Sequence, residues 1–402
     1  MFHLMRKRLA KVCVSLSMAV ILLFMACVTV PAANVQRNVV PVAENTTAQG
    51  GIELNCKSAV LMEASTGKIL YEQEGDVAMP PASVTKIMTL LLVMEAIERG
   101  ELKMTDMVTA SAHAASMGGS QIYLKEGESM TAEDMIKSVV ISSANDAAVA
   151  LAEHVSGSEM AFVEQMNRRA RELGMNNTHF ENTNGLDDTA TNHVTSAKDI
   201  AIMSRALIQH KAILQYSSIW MDTIRNGAFG LTNTNRLVRF YKGCHGLKTG
   251  STQKAGFCVS ATAERGGMTL ICVIMGAQSR DIRNAAAAAL LDWGFANYGL
   301  YECNEELLGQ IKVMGGEKEY IKIAHGSFVC VLPKKNLSAV EKTVEIPEAL
   351  TAPIYEGEDI GVVIFRVQGT EIGRISVRAK ETSEKMSFGK VFIRILAGFL
   401  LI

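Results

Sequence analysis

The chain has 402 residues, 48% of them apolar, 20% charged and 6% aromatic, with a formal net charge of −1. That length and balance fit a folded protein of two or three domains and exclude disorder over most of the chain. Near-neutral charge argues against nucleic acid as a partner. Long apolar runs confined to the two ends exclude a polytopic membrane protein.

Residues 1–33 read as a secretory signal. Arg6, Lys7, Arg8 and Lys11 precede an apolar run from Val12 to Val30, no acid interrupts it, and cleavage is expected after Ala32. The run is long enough to be retained as an anchor instead. Without those four cations the chain is mildly acidic. Residues 34–50 are polar and aperiodic, a linker.

Residues 57–63 alternate as a strand, Ala64 to Gly67 turn, and Lys68 to Glu72 return as its partner. A helix is expected from Ser83 to Arg99, closed by Gly100. Residues 131–154 are helical with a break at Ser142-Ser143-Ala144-Asn145-Asp146, and helices follow over 159–173 and 196–210. Residues 244–263 and 268–277 are apolar and β-branched about a turn at Glu264-Arg265-Gly266-Gly267, before a helix from Ala285 to Tyr298.

The order gives an α/β fold over residues 51–298: a sandwich of an antiparallel sheet and helices, completed by distant segments and carrying a helical insertion. Short alternating segments punctuated by glycine over residues 299–380 predict a small all-β domain. The last segment, 381–402, ends in FGKVFIRILAGFLLI. It is too short to cross a bilayer, but with Lys390 and Arg394 able to snorkel it suits a membrane surface. The alternative is a last core helix. Six cysteines beyond the leader are scattered without a CxxC pair and read as buried thiols, Cys258 and Cys272 being placed to face each other across a hairpin. The histidines show no ligand spacing, so neither a metal nor a cofactor is expected.

Three short motifs carry chemistry. In Ser83-Val84-Thr85-Lys86, serine and lysine stand three residues apart on one helix face. A lysine whose pKa is lowered by burial or by a second cation can take the serine proton. The helix N-terminus favours developing negative charge. Sixty residues on, Ser143-Ala144-Asn145 puts a hydroxyl and an amide on one side of a tight turn. Lys248-Thr249-Gly250 then offers a cation and a hydroxyl to a carboxylate, with glycine leaving room for substrate along a strand. Each motif alone has an ordinary reading: an N-cap serine, a Ser/Asn helix break, a basic strand end.

In this order and spacing, SVTK, SAN and KTG resemble those of the penicillin-recognising serine acyl-transferases. They are most similar to the low-molecular-weight penicillin-binding proteins that act as D-alanyl-D-alanine carboxypeptidases. Pro80-Pro81-Ala82, Asn182-Thr183-Asn184-Gly185-Leu186 and Leu291-Asp292-Trp293-Gly294-Phe295 extend the resemblance, as do the exported start, the β domain and the C-terminal helix. The resemblance implies that Ser83 attacks the carbonyl between two terminal D-alanines, with Lys86 as base. It gives Ser143 and Asn145 to proton transfer and peptide holding, and Lys248 and Thr249 to the terminal carboxylate, with Gly250 among the substrate-binding residues. The backbone N–H groups of Ser83 and Ser251 would make an oxyanion hole, where one donor is worth about 3 kcal/mol. Arg283 matches a basic position that supports carboxylate binding, and is otherwise a surface residue at a helix N-terminus. The implied partners are a peptidoglycan stem peptide ending in D-Ala-D-Ala, β-lactams as covalent inhibitors and a membrane surface, on the outer side of a bacterial cell membrane.

A serine β-lactamase is the nearest rival. It needs a glutamate for deacylation, and Glu181-Asn182-Thr183-Asn184 departs from the E-x-x-L-N pattern. A penicillin-binding sensor without turnover is the other reading.

Overall fold

The alternation at residues 57–63 becomes β1 (Ser58–Glu63), paired antiparallel with β2 (Ile69–Gln73). The computed structural model describes residues 52–188 and 190–400; the signal and linker at 1–50 lie outside the described residues. Three distant strands complete the sheet: β3 (Cys244–Thr252), β4 (Gly256–Arg265) and β5 (Met268–Ala277), in the order β2-β1-β5-β4-β3. Their period of two sorts side chains between two apolar layers. Val60, Met62, Ile271, Val273 and Met275 face one layer, which holds helices α1 (Lys86–Glu98), α2 (Asn145–Ser156), α3 (Glu159–Glu172) and α4 (Ala197–Gln209). Ala59, Leu61, Leu270, Cys272 and Ile274 face the other, against α5 (Arg280–Asn297).

Four sequence expectations are refined or changed here. Residues 244–277, where the sequence leaves two or three strands open, hold three, because the chain reverses at residues 253–255 into Gly256, whose φ of +67° suits glycine. The next turn is only Gly266-Gly267, both at positive φ, since Arg265 already pairs with Met268. Helix α5 starts at Arg280 rather than Ala285, because Ser279 caps it by accepting a hydrogen bond from Ile282 N–H. Cys258 and Cys272 do not face each other. Ala261 is opposite Cys272, and the two thiols lie in opposite layers.

From Tyr298 onward the chain is β-stranded until its last helix, apart from a 3-10 turn at Lys334–Ala339. Strand β6 (Tyr298–Cys303) pairs with β9 (Phe328–Pro333). A six-stranded sheet takes the order β10-β12-β13-β8-β7-β11. Its strands are β7 (Glu306–Met314), β8 (Tyr320–His325), β10 (Val340–Glu345), β11 (Ala349–Thr351), β12 (Asp359–Val367) and β13 (Thr370–Ala379). A separate core of Ile311, Ile321, Val363, Val377 and stacked Phe328 and Phe365 holds it. Helix α6 (Phe388–Leu400) follows, exposing Phe388, Phe392, Ile393 and Ile395. That exposure is opposite to a core helix. Lys390 does not stand alone as a snorkelling cation: it pairs with Glu317. No helix among the described residues is long and apolar enough to cross a membrane.

Gly294 sits where α5 meets the sheet. A Cβ there would lie 2.5 Å from Leu61 and 2.7 Å from Leu270. Gly294→Val is therefore expected to destabilise the sandwich by about 1–3 kcal/mol through overpacking, read as a lower denaturation midpoint.

Candidate active site

Helix α1 is apolar on every side, and ten of its thirteen residues are buried. Such a helix belongs at the centre of a core. Lys86, its first residue, is therefore buried completely. Before it, Ala82–Thr85 forms a 3-10 turn in which Ala82 takes φ +50°. Ser83 thus sits in this tight turn and not at the start of the α-helix, which begins only at Lys86.

Two glycines allow neighbouring segments to press against that turn. A Cβ on Gly185 would lie 1.9 Å from Ala82 O. One on Gly250 would lie 2.8 Å from Pro81 O, Ser83 N and Val84 N, so β3 runs directly beside the serine backbone.

The SAN segment acquires its shape from a π-helical turn, Ser138–Ser142, in which the Ser138 and Ser142 hydroxyls donate back to Asp134 O and Ser138 O. The chain leaves it through Ser143 at φ +65° and re-enters helix at Asn145. Single positive-φ residues of this kind cluster at functional sites. Buried Asp146 accepts from Ile122, Leu124 and Ala147 N–H groups, tying residues 122–124 to the start of α2.

These segments converge on two amines. Lys86 Nζ lies 2.9 Å from Ser83 Oγ, 2.5 Å from Asn145 Oδ1 and 2.8 Å from Asn184 O. Asn145 Nδ2 donates to Gly118 O at 2.7 Å, which fixes its oxygen toward the lysine. Lys248 Nζ donates to Ser143 Oγ and to Thr249 O, each at 2.8 Å, and Thr249 Oγ1 donates to Thr234 Oγ1 at 2.8 Å. Two hydrogen-bonded groups thus form the cluster, Ser83 and Asn145 about Lys86 and Ser143 and Thr249 about Lys248, and the charge of Lys248 is felt at Lys86.

Burial sets the charge of this cluster. Desolvation holds Lys86 well below an ordinary lysine; Lys248 adds to the depression and Asp146 opposes it. Lys248 is pushed down to about 7, first by burial and then by Arg283. A neutral Lys86 amine has two hydrogens and one lone pair. Asn145 Oδ1 and Asn184 O are acceptors only, so they take the hydrogens and leave the lone pair for the Ser83 hydroxyl.

Arg283 is buried, contrary to its reading as a surface residue, because it lies on the sheet-facing side of α5. Its guanidinium donates to Cys258 O and Asn284 Oδ1, and burial lowers its pKa to about 10. Ser251 follows Gly250 on β3 and is exposed. Glu181 donates nothing to the cluster. Its carboxylate accepts from Thr191 and Asn192 within its own loop.

Sequence reasoning gave no role to Asn184 or Thr234. Asn184 acts through a carbonyl, which every residue type offers, and only the neighbouring Asn-Gly turn marks the loop. Nothing in the local pattern marks Thr234.

A serine 2.9 Å from a buried amine of lowered pKa, beside a strand with a second lysine, is the arrangement that serine acyl transfer calls for, here on an α/β sandwich. Residues 43–279 match the model of the D-alanyl-D-alanine carboxypeptidase family, peptidase S11, and residues 295–385 match the penicillin-binding protein 5 C-terminal domain. The chain belongs to that carboxypeptidase family. It is 42% identical to D-alanyl-D-alanine carboxypeptidase DacF of Bacillus subtilis over 340 residues, 83% of this chain and 87% of that one. DacC of Escherichia coli is 32% identical over 86% of this chain and 89% of its own length. Penicillin-binding protein 5 from Haemophilus influenzae superposes with a TM-score of 0.73 at 30% identity, over 86% of this chain and 100% of that chain.

Gly185→Ala is expected to displace Ala82 and with it Ser83 and Lys86. Labelling by a fluorescent penicillin should fall by at least about tenfold, while β-domain folding is unchanged.

Proposed function

We propose that this chain removes the terminal D-alanine from peptidoglycan stem pentapeptides through an acyl-enzyme on Ser83. The observation that carries the reading is the fully buried Lys86 amine 2.9 Å from Ser83 Oγ, its pKa held well below that of an ordinary lysine by desolvation. Lys86 takes the serine proton as Oγ attacks the carbonyl carbon between the last two D-alanines. The C–N bond breaks, the proton passes to the departing amine, and free D-alanine leaves. Ser143 relays that proton; its hydroxyl lies 2.8 Å from Lys248 Nζ, which supports the role. Water then cleaves the ester and restores Ser83.

Lys248 and Thr249 receive the substrate's free carboxylate, with Arg283 behind Lys248 adding positive potential from the buried side. Asn145 holds the peptide amide. Gly250 lets the peptide lie along β3, and the N–H groups of Ser83 and Ser251 polarise the attacked carbonyl. A β-lactam, whose carboxylate and strained amide present the same groups, acylates Ser83 and blocks turnover. Glu181, the glutamate nearest the E-x-x-L-N pattern, accepts from Thr191 and Asn192 within its own loop, which counts against its use in a β-lactamase role.

The chain works outside the cytoplasm after export by its signal. Helix α6, with exposed Phe388, Phe392, Ile393 and Ile395, lays its apolar side on the membrane, and the β domain of residues 299–380 stands between it and the catalytic sandwich of residues 51–298.

D-alanine release from a peptide ending in Lys-D-Ala-D-Ala tests the reading. Repeated turnover is expected from the wild-type chain, with none from Ser83→Ala. Lys86→Arg should also be inactive, because a guanidinium does not give up its proton. A stable penicillin adduct on Ser83 without turnover would instead make the protein a sensor.

A further inference from the structure

His193 belongs to none of the three motifs, yet it reaches the nucleophile turn. It is held from both sides of the chain: an antiparallel bridge joins His179 to Val194, and another joins Met79 to Thr195. The ring is 6% exposed, edge-on to Phe180 at 5.7 Å between centroids.

Its two nitrogens have different duties. Nδ1 accepts the Glu181 N–H at 3.0 Å, so the ring hydrogen belongs on Nε2. Nε2 lies 2.7 Å from Thr85 Oγ1, and that hydroxyl donates to Ala82 O at 2.8 Å. A hydroxyl has one hydrogen. Spending it on Ala82 leaves Thr85 Oγ1 as acceptor toward the ring, which agrees with the tautomer set at Nδ1. The chain of bonds therefore runs one way, from Glu181 N–H through His193 and Thr85 to the Ala82 carbonyl.

That carbonyl belongs to the residue at φ +50° immediately before Ser83, and Gly185 presses on the same oxygen. A non-glycine residue in this conformation persists only when its surroundings hold it. The ring also stays neutral. Burial takes its pKa down to about 4, with Glu181 and Asp187 opposing and His179 and Lys86 reinforcing the depression.

We propose that His193 is a positioning residue for acyl transfer: through Thr85 it fixes the Ala82 carbonyl, and so the kinked turn that aims Ser83 at Lys86. The inference rests on Ser83 being the nucleophile. The hydrogen bonds of His193 go to Thr85 and Glu181 and none to Ser83, so it acts through Thr85.

Thr85→Val removes the hydroxyl while keeping the shape, and Thr85→Ser keeps the hydroxyl. With His193→Ala and the double variant Thr85→Val/His193→Ala they form the test. The readouts are kcat and KM for D-alanine release, the rate of acylation by a fluorescent penicillin, and the melting midpoint. Thr85→Val and His193→Ala should each lower kcat and the acylation rate about tenfold or more, with KM within about twofold of wild type. Thr85→Ser should recover most of the rate. The double variant should be no slower than the slower single, since both residues belong to one chain of bonds.

Acylation by Thr85→Val at the wild-type rate would overturn the proposal. So would Thr85→Ser as slow as Thr85→Val, losses that multiply in the double variant, or a fall in rate that tracks a fall in melting midpoint. If His193→Ala does not fold, the two Thr85 variants decide. A wild-type chain that fails to acylate at Ser83 sinks the functional reading itself, which separates the two failures.

Discussion

An amine at the bottom of an apolar core keeps its charge only if counter-charges surround it, and Lys86 has one carboxylate nearby set against a second lysine. Its contacts are two carbonyl oxygens and a hydroxyl. A neutral amine satisfies all three at once, and a protonated one would have to point its third hydrogen at Ser83. The arrangement needs a helix apolar enough to be buried whole, an asparagine from α2 and a main-chain oxygen from the loop at residue 184. Much of the sandwich and its helical insertion can be read as the means of bringing those three segments to one atom.

The backbone around the site is irregular for the same reason. Ala82 and Ser143 take left-handed conformations without being glycine, while Gly185 and Gly250 are glycines because other backbone lies where a Cβ would be. Regular helix at Ser83 would turn its hydroxyl with the helix surface. The 3-10 turn instead presents it between β3 and the loop at residue 184. On the other side of the site Lys248 and Arg283 are both buried, and the guanidinium adds to the burial that lowers the Lys248 pKa to about 7; an incoming carboxylate is the proposed relief of that repulsion.

Much of this was legible in the sequence. Strands β1 and β2, the alternating segments beyond residue 299 and the apolar helix after Ser83 follow from periodicity and glycine punctuation. So does the placement of serine and lysine on one turn. What escaped was tertiary. The hairpin inside residues 244–263 stays open in the sequence because both of its strands are apolar and mostly buried, which blurs alternation. Helix α5 begins early because Ser279 caps it. Arg283 was open to a surface reading because a charged residue in a first helical turn is usually exposed. Asn184, Thr234 and His193 act through a carbonyl or through partners more than 90 residues away, or on a strand edge, and no local spacing marks such roles.

The central claim is that burial makes Lys86 a neutral base for Ser83. The pH dependence of Ser83 acylation by a labelled β-lactam, followed between about pH 4 and pH 10, tests it most directly. Because the neutral amine is the reactive form, acylation is lost as pH falls through the Lys86 pKa. The account predicts a rate that rises and reaches its plateau well below the ordinary lysine value of 10.5. A rate that climbs without a plateau up to pH 10 would contradict it.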